Sequence, residues 1–266
     1  MFDEKTEALA KEVGMEVWFP PAKLRQRCDN KMETVRIGNK AGVASVPNAL
    51  EKVSSYANLM EIAERNGLGK HLVLQSAFGD SGHTTFFISS EDDFKKHEEE
   101  IVKDPEIKIM KRINCRGATL EACATQSGTL VGPMLTEVVG ARELTPYKGG
   151  WCGNEVFPGA FSADVLAKVR DMTERFGNQL LEEGYRGYFD LDFLIDQDDG
   201  SVYLGELNPR VCGASPMTNH AAFAYADAPL FLFHLLEFSG VPFDLDVREI
   251  NERWAQPHFI DSWSQV

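Results

Sequence analysis

Two strand-like segments, residues 188–196 and 201–209, constrain the fold of this chain more than any other feature, because only a short polar turn separates them. In the first segment, Asp190 and Asp192 alternate with apolar residues. Successive side chains of a strand point to opposite faces, so the two aspartates share one face and the apolar residues share the other. The sequence therefore predicts an antiparallel hairpin with one apolar and one acidic face.

The turn of this hairpin predicts how its strands pair. If residues 198–200 form a three-residue loop with Gly200 in the left-handed conformation, Gln197 pairs with Ser201. Counting back along that register sets Asp192 opposite Glu206, and Asp190 opposite Asn208. The alternation along the second strand predicts one shared face for Val202, Leu204, Glu206 and Asn208.

Facing carboxylates destabilise a hairpin unless a cation lies between them or one of them is protonated. Mg²⁺ prefers oxygen ligands and usually takes only one or two carboxylates from a protein. We therefore predict a site for Mg²⁺, with Mn²⁺ as a substitute, whose ligands are Asp192, Glu206 and Asn208. A solvent-facing acidic strand edge is the alternative interpretation of the same residues.

A nearby cation and a loop of small residues indicate phosphate chemistry at this metal site. Arg210 follows the hairpin directly, and Pro209 restricts the backbone that leads to it. Residues 75–83, with the sequence QSAFGDSGH, include small residues whose backbone amides can approach phosphate oxygens. The sequence contains neither a P-loop motif nor a strand-to-helix GxGxxG turn, so it supports neither of those nucleotide sites.

The net charge and the amino-acid composition limit the kinds of partner that the protein can bind. With 41 Asp and Glu against 27 Lys and Arg, the net charge of −14 opposes binding to DNA or RNA, because no basic field attracts a polyanion. No apolar run approaches the roughly 20 residues of a membrane span, so we expect no membrane partner. The five cysteines are scattered singly, which favours a reduced, cytoplasmic location.

Local patterns predict mixed helices and strands along the rest of the chain. Asp29 is expected to cap a helix with Lys31 in its first turn, and Ser162 a long amphipathic helix. The stretch around residues 75–83 indicates a hairpin, and residues 145–159 are expected to be irregular. Further predicted helices cover 4–13, 49–66 and 90–103, with strands at 15–19 and 43–47. Strands at 107–113, 119–126 and 129–140 are predicted to form an antiparallel meander, with a turn at 115–118.

The order of these parts resembles a known superfamily. It begins with DNK at residues 29–31, followed by AGV and VP, and continues with the small-residue hairpin and KRI at residues 111–113. It ends with DLDF and ELNPR in the acidic hairpin. Over roughly residues 5–240 the chain resembles the ATP-grasp superfamily, most closely its biotin carboxylase and carbamoyl-phosphate synthetase-like branch of carboxylate-amine ligases.

The resemblance implies an α+β fold in which two α+β lobes hold ATP between them. Residues 1–28 would be a remnant of a preceding α/β domain. Residues 29–114 would form the first ATP-grasp lobe, with the phosphate-covering loop, and residues 115–266 the second, with the metal-binding hairpin.

The resemblance also implies roles for individual residues. Lys31 would contact phosphate, Arg210 would face the transferred phosphate, and Glu121 would face the nucleotide pocket. The lid and the residue before it would comprise Gln75, Ser76, Gly79, Ser81, Gly82 and His83. The hinge that packs on adenine would comprise Lys111, Arg112 and Ile113, and the metal ligands would be Asp192, Glu206 and Asn208.

The activity implied is an ATP-dependent ligation of a carboxylate and an amine through an acyl phosphate, with an amino acid or peptide as the acceptor. We expect residues 149–159 and 212–219 to help select that acceptor. One departure is Gln75, where the family commonly has a phosphate-binding lysine, although Lys111 could compensate. Two alternatives stay open: a nucleotide-binding module without ligase turnover, and a divalent-metal protein unrelated to nucleotides.

Overall fold

The computed structural model of the protein describes residues 3–79, 83–147, 149–224, 227–256 and 262–266, with the side chains of 221–224 left aside. Its helices are α1 Glu4–Glu12, α2 Ala22–Cys28, α3 Lys31–Lys40, α4 Tyr56–Arg65, α5 Glu91–Lys95, α6 Glu98–Lys103, α7 Ala163–Glu182, α8 Ser215–Ala224, α9 Leu230–Ser239 and α10 Val247–Trp254. Its strands are β1 Asn48–Glu51, β2 Leu72–Gln75, β3 Thr85–Ile88, β4 Ile107–Lys111, β5 Cys115–Thr125, β6 Gly128–Val139, β7 Trp151–Val156, β8 Gly187–Asp196, β9 Val202–Asn208 and β10 Trp263–Gln265.

The described strands form two sheets. The first has the order β1-β4-β2-β3, and the second has the order β10-β7-β6-β5-β8-β9. All of these strand pairs are antiparallel. Helices and antiparallel sheets in one chain confirm the α+β class. The lobe boundaries at residues 28 and 114 stay a prediction.

The first sheet owes its core to alternation along its strands and to the helices that cover it. Leu72 and Leu74 of β2 are fully buried, whereas the residues between and after them are partly exposed. They pack in one cluster with Leu59 of α4, Phe94 of α5 and Ile101 of α6. Burial of the apolar face of each short helix accounts for its stability, since helices this short are marginal in isolation.

The second sheet is covered by the long helix α7. Its buried residues Val169, Met172, Phe176 and Leu180 recur at helical spacing, as the sequence predicts. They pack against the apolar face of β8, and Ser162 caps the helix by accepting from the Val165 amide. Truncating a fully buried phenylalanine in such a core costs about 3–5 kcal/mol.

The two sheets meet at β9. The amide of Leu204 donates to the carbonyl of Ala44 at 2.8 Å, and Ser45 forms an isolated parallel bridge with Leu204. Helix α3 approaches the same strand closely at Gly38, where a Cβ atom would lie 2.8 Å from the Leu204 side chain. This contact brings the first residue of α3, Lys31, to the acidic hairpin.

Several local predictions are wrong. Residues 15–19 form no strand, because their backbone finds no partner strand. The strand expected at 43–47 lies at Asn48–Glu51, and α4 therefore begins only at Tyr56, after the Ser55 cap. Asn30, not Asp29, caps α3, since the Asn30 side chain accepts from the Met32 amide.

The predicted three-strand meander is also wrong in one member. Strand β4 pairs with β1 and β2 in the first sheet, and not with β5. Residues 115–118 form no turn, because they pair with residues 193–196 of β8 at the start of the long strand β5. Residues 151–156, expected to be irregular, form β7 between β6 and β10.

None of the described helices is both long enough and apolar enough to cross a bilayer.

Candidate functional site

The acidic hairpin has the predicted register at its polar end. Asp192 lies opposite Glu206, and Asp190 lies opposite Asn208, as counting from the turn predicts. The predicted pairing at the turn itself is wrong by one residue. The amide of Asp196 donates to the carbonyl of Ser201, so the turn contains one residue more than expected.

A β-bulge at Gly205 reconciles the two ends. Phe193 lies opposite Leu204, whereas Asp192 lies opposite Glu206, so Gly205 is the extra residue on β9. The extra residue moves the side chains that follow it to the other face of the strand. The predicted common face for Val202, Leu204, Glu206 and Asn208 is therefore wrong. Val202 and Leu204 lie in the core, opposite Ile195 and Phe193, whereas Glu206 and Asn208 join the acidic face.

Two carboxyls of this face lie deep in the protein and receive hydrogen bonds from it. The fully buried Glu121 accepts from the Tyr188 hydroxyl at 2.6 Å, from the Cys212 thiol at 3.2 Å and from the Ser215 hydroxyl. Asp190 accepts from the Thr119 hydroxyl and from Asn208 Nδ2 at 3.1 Å. Burial raises the pKa of Glu121 and raises the pKa of Asp190 to about 8, although these donors oppose the shift.

Three more carboxyls face a cavity on this side of the sheet. Burial and the charges of Asp190 and Glu206 raise the pKa of Asp192 well above its usual range. Burial and the charges of Asp192 and Glu206 do the same to the pKa of Glu137. A cation beside Asp192 and Glu137 would favour their charged forms, so the arrangement favours binding a cation.

Two cations lie near the facing carboxylates, Lys31 from helix α3 and Arg210 from the residues that directly follow the hairpin. Lys31 Nζ forms an ion pair with Glu206 Oε1 at 2.7 Å and donates to the carbonyl of Gly79 at 3.0 Å. The amide of Lys31 donates to the carbonyl of Ala77, so this one residue holds both ends of residues 77–79 against the hairpin. Arg210 Nη2 donates to Asn208 Oδ1 at 3.2 Å.

A further lysine lies behind this pair. Lys108 of β4 is fully buried, and its Nζ donates to the carbonyl of Gly205 at 2.9 Å. Burial lowers the pKa of Lys108 to about 8, and the nearby charge of Glu206 opposes that shift. Lys108 lies opposite Gln75 on the neighbouring strand. The bulge that aligns the acids thus also presents a carbonyl to a buried cation.

The cavity itself has a volume of about 270 Å³. It lies where the first-sheet hairpin β2–β3 faces the second sheet. Its described lining residues are Lys31, Gly79, Thr84, Thr85, Thr119, Glu137, Trp151, Asn154, Asp190, Asp192, Glu206, Asn208, Arg210, Cys212, Gly213 and Ala214. A cavity between two layers with convergent charged groups is typical of a small-molecule site.

Comparison with known proteins identifies the fold. No protein-family model matches the sequence, and no curated protein matches it. The carboxyaminoimidazole ribonucleotide synthase of Aspergillus clavatus, solved with ATP, is 17% identical with a TM-score of 0.66, over 90% of this chain and 58% of that chain. The chain has the ATP-grasp fold.

Two further ATP-grasp structures agree with that comparison. The biotin carboxylase domain of the Hydrogenobacter thermophilus 2-oxoglutarate carboxylase, solved with MgADP, ADP and bicarbonate, is 14% identical with a TM-score of 0.72, over 91% of this chain and 52% of that one. The D-alanyl-alanine synthetase A of Vibrio cholerae is 12% identical with a TM-score of 0.67, over 93% of this chain and 72% of that one. This ATP-grasp chain thus spans between half and three quarters of the solved chains described here.

The ATP-grasp lid predicted from the sequence is described only in part. Ser81 and Gly82 lie outside the described residues. The hairpin β2–β3 is present as predicted, Gly79 lines the cavity, and the Ser76 amide donates to the carbonyl of Thr84. Gln75 donates through Nε2 to the Thr85 hydroxyl, and the exposed His83 contacts the Tyr147 ring instead of the cavity.

Two other predicted groups do not line the cavity. The predicted hinge of Lys111, Arg112 and Ile113 connects the sheets, and the amides of Lys111 and Arg112 donate to the carbonyls of Pro47 and His71. Those amides are therefore engaged within the protein. Glu121 points to Tyr188, Ser215 and Cys212 behind the cavity wall, because these donors compensate its burial.

Sequence reasoning missed two residues of the site, Lys108 and Glu137. Lys108 alternates with isoleucines in IKIMK, and a lysine within so apolar a strand is the signal that could have drawn attention to it. Glu137 has no comparable signal, because its strand ends in an ordinary polar pattern. The segments containing Trp151, Asn154 and Cys212, expected to select the acceptor, do line the cavity.

The predicted metal ligands offer two carboxylates and one amide oxygen. Within the described ranges, no group of three or more His, Cys, Asp and Glu side chains is arranged to hold a metal ion. Mg²⁺ usually takes only one or two carboxylates from a protein, and Asp192 and Glu206 satisfy that number. Lys31 and Arg210 now contact Glu206 and Asn208, the oxygens that a metal would use. The donor set therefore fits Mg²⁺ shared with phosphate.

Proposed function

We propose that this chain binds Mg²⁺ and ATP and ligates a carboxylate to an amine through an acyl phosphate. One observation carries the proposal: facing carboxylates Asp192 and Glu206 meet Lys31 and Arg210 at one cavity of an ATP-grasp fold. The similar structures support it, because they include a synthase solved with ATP, a biotin carboxylase domain solved with MgADP and a synthetase. A cytoplasmic location stays a prediction from the cysteine pattern.

Asp192, Glu206 and Asn208 would hold Mg²⁺, which would neutralise negative charge on the phosphates and stabilise the charge of the transferred group. Lys31 reaches the same place from α3, and its flexible ammonium can move from Glu206 to a phosphate oxygen. Arg210 can present its planar guanidinium to phosphate, because its only described side-chain partner is the neutral Asn208 amide.

The reaction has two displacements. A substrate carboxylate oxygen attacks the γ-phosphorus of ATP, ADP leaves, and an acyl phosphate forms. The amine nitrogen then attacks the acyl carbon, inorganic phosphate leaves, and the nitrogen loses a proton. Neither step needs a nucleophile from the protein. Its residues bind and orient the reactants, and they stabilise charge in a site with little water.

The lid segment contributes by excluding water from the acyl phosphate. Lys31 ties residues 77–79 to the hairpin through its amide and its ammonium. When the ammonium turns to phosphate, it releases the Gly79 carbonyl. Nucleotide binding and the position of this loop are therefore coupled through one side chain.

A nucleotide-binding module without ligase turnover is the second candidate, and a specific observation favours it. Gln75 lies where the family commonly has a cationic residue, and it donates to Thr85 instead. Lys108, opposite Gln75 on β4, offers a charge from the next strand. The two candidates differ in whether bound ATP is ever converted to ADP.

The test is calorimetry of ATP binding with and without Mg²⁺, followed by ADP release across a panel of carboxylates and amines. We expect Mg²⁺-dependent binding that Glu206→Gln weakens by about 1 kcal/mol or more, the scale of a lost charged contact. Glu64→Gln, exposed on α4, is the matched control and should bind normally.

Binding without ADP release on any substrate pair would favour the non-catalytic module. Metal binding that ATP does not strengthen would favour a metal protein unrelated to nucleotides. Absence of ATP binding by the folded chain would reject both nucleotide functions.

A further inference from the structure

The cavity contains more negative than positive groups. Its described lining includes four carboxylates, Glu137, Asp190, Asp192 and Glu206, and two cations, Lys31 and Arg210. The cations and the proposed metal gather at the Glu206 end. A bound nucleotide would add further negative charge there. The two lining cations contact Glu206 and Asn208, so neither is engaged with Glu137, and a cationic group of a ligand there would favour the charged form of that carboxyl.

Glu137 defines the opposite end of the cavity. It accepts no hydrogen bond and forms no ion pair with any side chain in the part of the chain that the structure describes. Its carboxylate leans over Gly117 of the neighbouring strand β5, where a Cβ atom would overlap it. The absence of a side chain at Gly117 lets the carboxylate reach the cavity beside Asp192, which also raises its pKa.

The side chain of Trp151 lines the same cavity as Glu137 and is linked to it through Asn154. Asn154 of β7 is the cross-strand neighbour of Glu137 and is fully buried. The Trp151 indole donates to Asn154 Oδ1 at 3.1 Å and packs against Gly213, where a Cβ atom would overlap the ring. The indole is therefore fixed at the cavity. A carboxylate beside an indole is a combination that binds organic cations, through charge and the ring face together.

We propose that Glu137, Trp151 and Asn154 form a subsite for a cationic group that the substrate carries besides its reacting group. The inference rests on the proposed ligase function and names its amine substrate: a diamine or a basic amino acid. The reacting amine must lose its proton before it attacks, so it cannot neutralise Glu137 throughout the reaction. A second ammonium group can.

An additional metal ion is the competing cation. Asp192, whose charge acts on Glu137, is already a ligand of the proposed Mg²⁺, and a tryptophan contributes nothing to a hard divalent ion. The composition of this end of the cavity therefore favours an organic cation.

The test compares matched compounds that differ only in the second cationic group. Calorimetry would measure binding of 1,5-diaminopentane against pentylamine, and of L-lysine against L-norleucine. Each pair is titrated with and without Mg²⁺ and a non-hydrolysable ATP analogue. We expect the dicationic member of at least one pair to bind about tenfold more tightly, as one buried charged contact provides.

Glu137→Gln should reduce that preference to less than about threefold while nucleotide binding persists, because the amide keeps the shape and loses the charge. Glu155→Gln, on the opposite face of β7, is the matched control and should keep the full preference. Equal binding within both pairs would overturn the subsite, and so would a preference that survives in Glu137→Gln.

The two proposals fail in different ways. Loss of nucleotide binding would reject the ligase function, whereas the compound pairs titrated alone would still decide the subsite. If Glu137→Gln does not fold, the subsite is tested by whether the unchanged protein binds the dicationic member of each compound pair more tightly than the other member. Mg²⁺ that abolishes the preference would assign this end of the cavity to a metal.

Discussion

Two groups of carboxyls lie on neighbouring strands of one sheet, one group buried and the other partly exposed at the cavity, and they differ in the partners that the protein gives them. The inner group, Glu121 and Asp190, receives hydrogen bonds from hydroxyl, thiol and amide donors. The outer group, Asp192, Glu206 and Glu137, lines the cavity, as Asp190 also does, but has fewer donors: Asn208 for Asp192, Lys31 for Glu206 and none among the described residues for Glu137. Desolvation raises the pKa of Glu121 and Asp190 in the inner group and of Asp192 and Glu137 in the outer group, so a raised pKa alone does not distinguish the groups.

The difference lies in what neutralises each group. A buried polar group whose partners come from the protein contributes to folding and resists change. A buried carboxyl without such partners is costly in the free protein and becomes favourable when a ligand supplies the partner. We therefore infer that the inner group supports the fold and the outer group serves binding.

The largest expected effect comes from removing an outer carboxylate. Asp192→Asn should lower ADP formation about a thousandfold, or ~4 kcal/mol, because a group that stabilises transition-state charge is lost. Its thermal unfolding midpoint should not fall, since the variant also relieves repulsion with Glu206. Asp92→Asn, exposed on α5, serves as the control. An equal loss of stability would place Asp192 with the inner group.

An inner carboxyl should affect stability instead. Glu121→Leu leaves the donors of Tyr188, Ser215 and Cys212 without their acceptor, so we expect the free energy of unfolding to fall by about 3 kcal/mol. Urea unfolding measures it. Tyr188→Phe removes one of those donors and keeps the ring, and it should cost about 1 kcal/mol. A stable Glu121→Leu protein would contradict the division into two groups.

A substitution of Lys108 tests whether a buried cation near the outer carboxyls contributes to ATP binding. Lys108→Met should weaken ATP binding about tenfold, or ~1.4 kcal/mol, because it removes a positive charge behind Glu206. The change in stability at neutral pH should be small, since relief of a buried charge offsets the lost bond to the Gly205 carbonyl. Unchanged ATP affinity would make Lys108 a support for the bulge only.

The same lysine predicts a pH dependence of stability. Its folded pKa is lowered from 10.5 to about 8 by burial, so the unfolded chain binds more protons between those values. Below about pH 8 the buried charge destabilises the protein by a constant amount. Between about pH 8 and pH 10.5 this penalty disappears, so the free energy of unfolding should rise with pH over that range. The difference between unfolding curves of the unchanged protein and Lys108→Met isolates it. Parallel curves would contradict the lowered pKa.

The smallest expected effect concerns the β-bulge at Gly205, which places Glu206 opposite Asp192. A Cβ atom on Gly205 would lie 3.0 Å from the carbonyl oxygen of Asp192, so Gly205→Ala requires a small shift of the strands. We expect a loss of about 1 kcal/mol in urea unfolding. Unchanged stability together with unchanged ATP binding would show that the bulge tolerates a side chain.

Sequence patterns predicted the hairpins well and their partners poorly. Alternation of apolar and polar residues is local, so β8, β9 and the stripe of α7 were predictable from neighbouring residues alone. Strand β4 was assigned to the wrong sheet, because the choice of a partner strand depends on contacts far along the chain. The extra residue at Gly205 escaped prediction for a related reason: a bulge changes the face of a strand without changing its pattern.

The sequence by itself placed Asp190, Asp192, Glu206 and Arg210 in one hairpin, and the predicted facing of Asp192 and Glu206 holds because the longer turn and the bulge at Gly205 compensate each other. Only the tertiary structure decided how two lysines from another layer of the fold come to the hairpin: Lys31 pairs with Glu206, and Lys108 donates to the carbonyl of the adjacent Gly205. Only the tertiary structure also separated Glu121 from Glu137. Charge is a property of the residue, but the donors that neutralise it are brought together by packing.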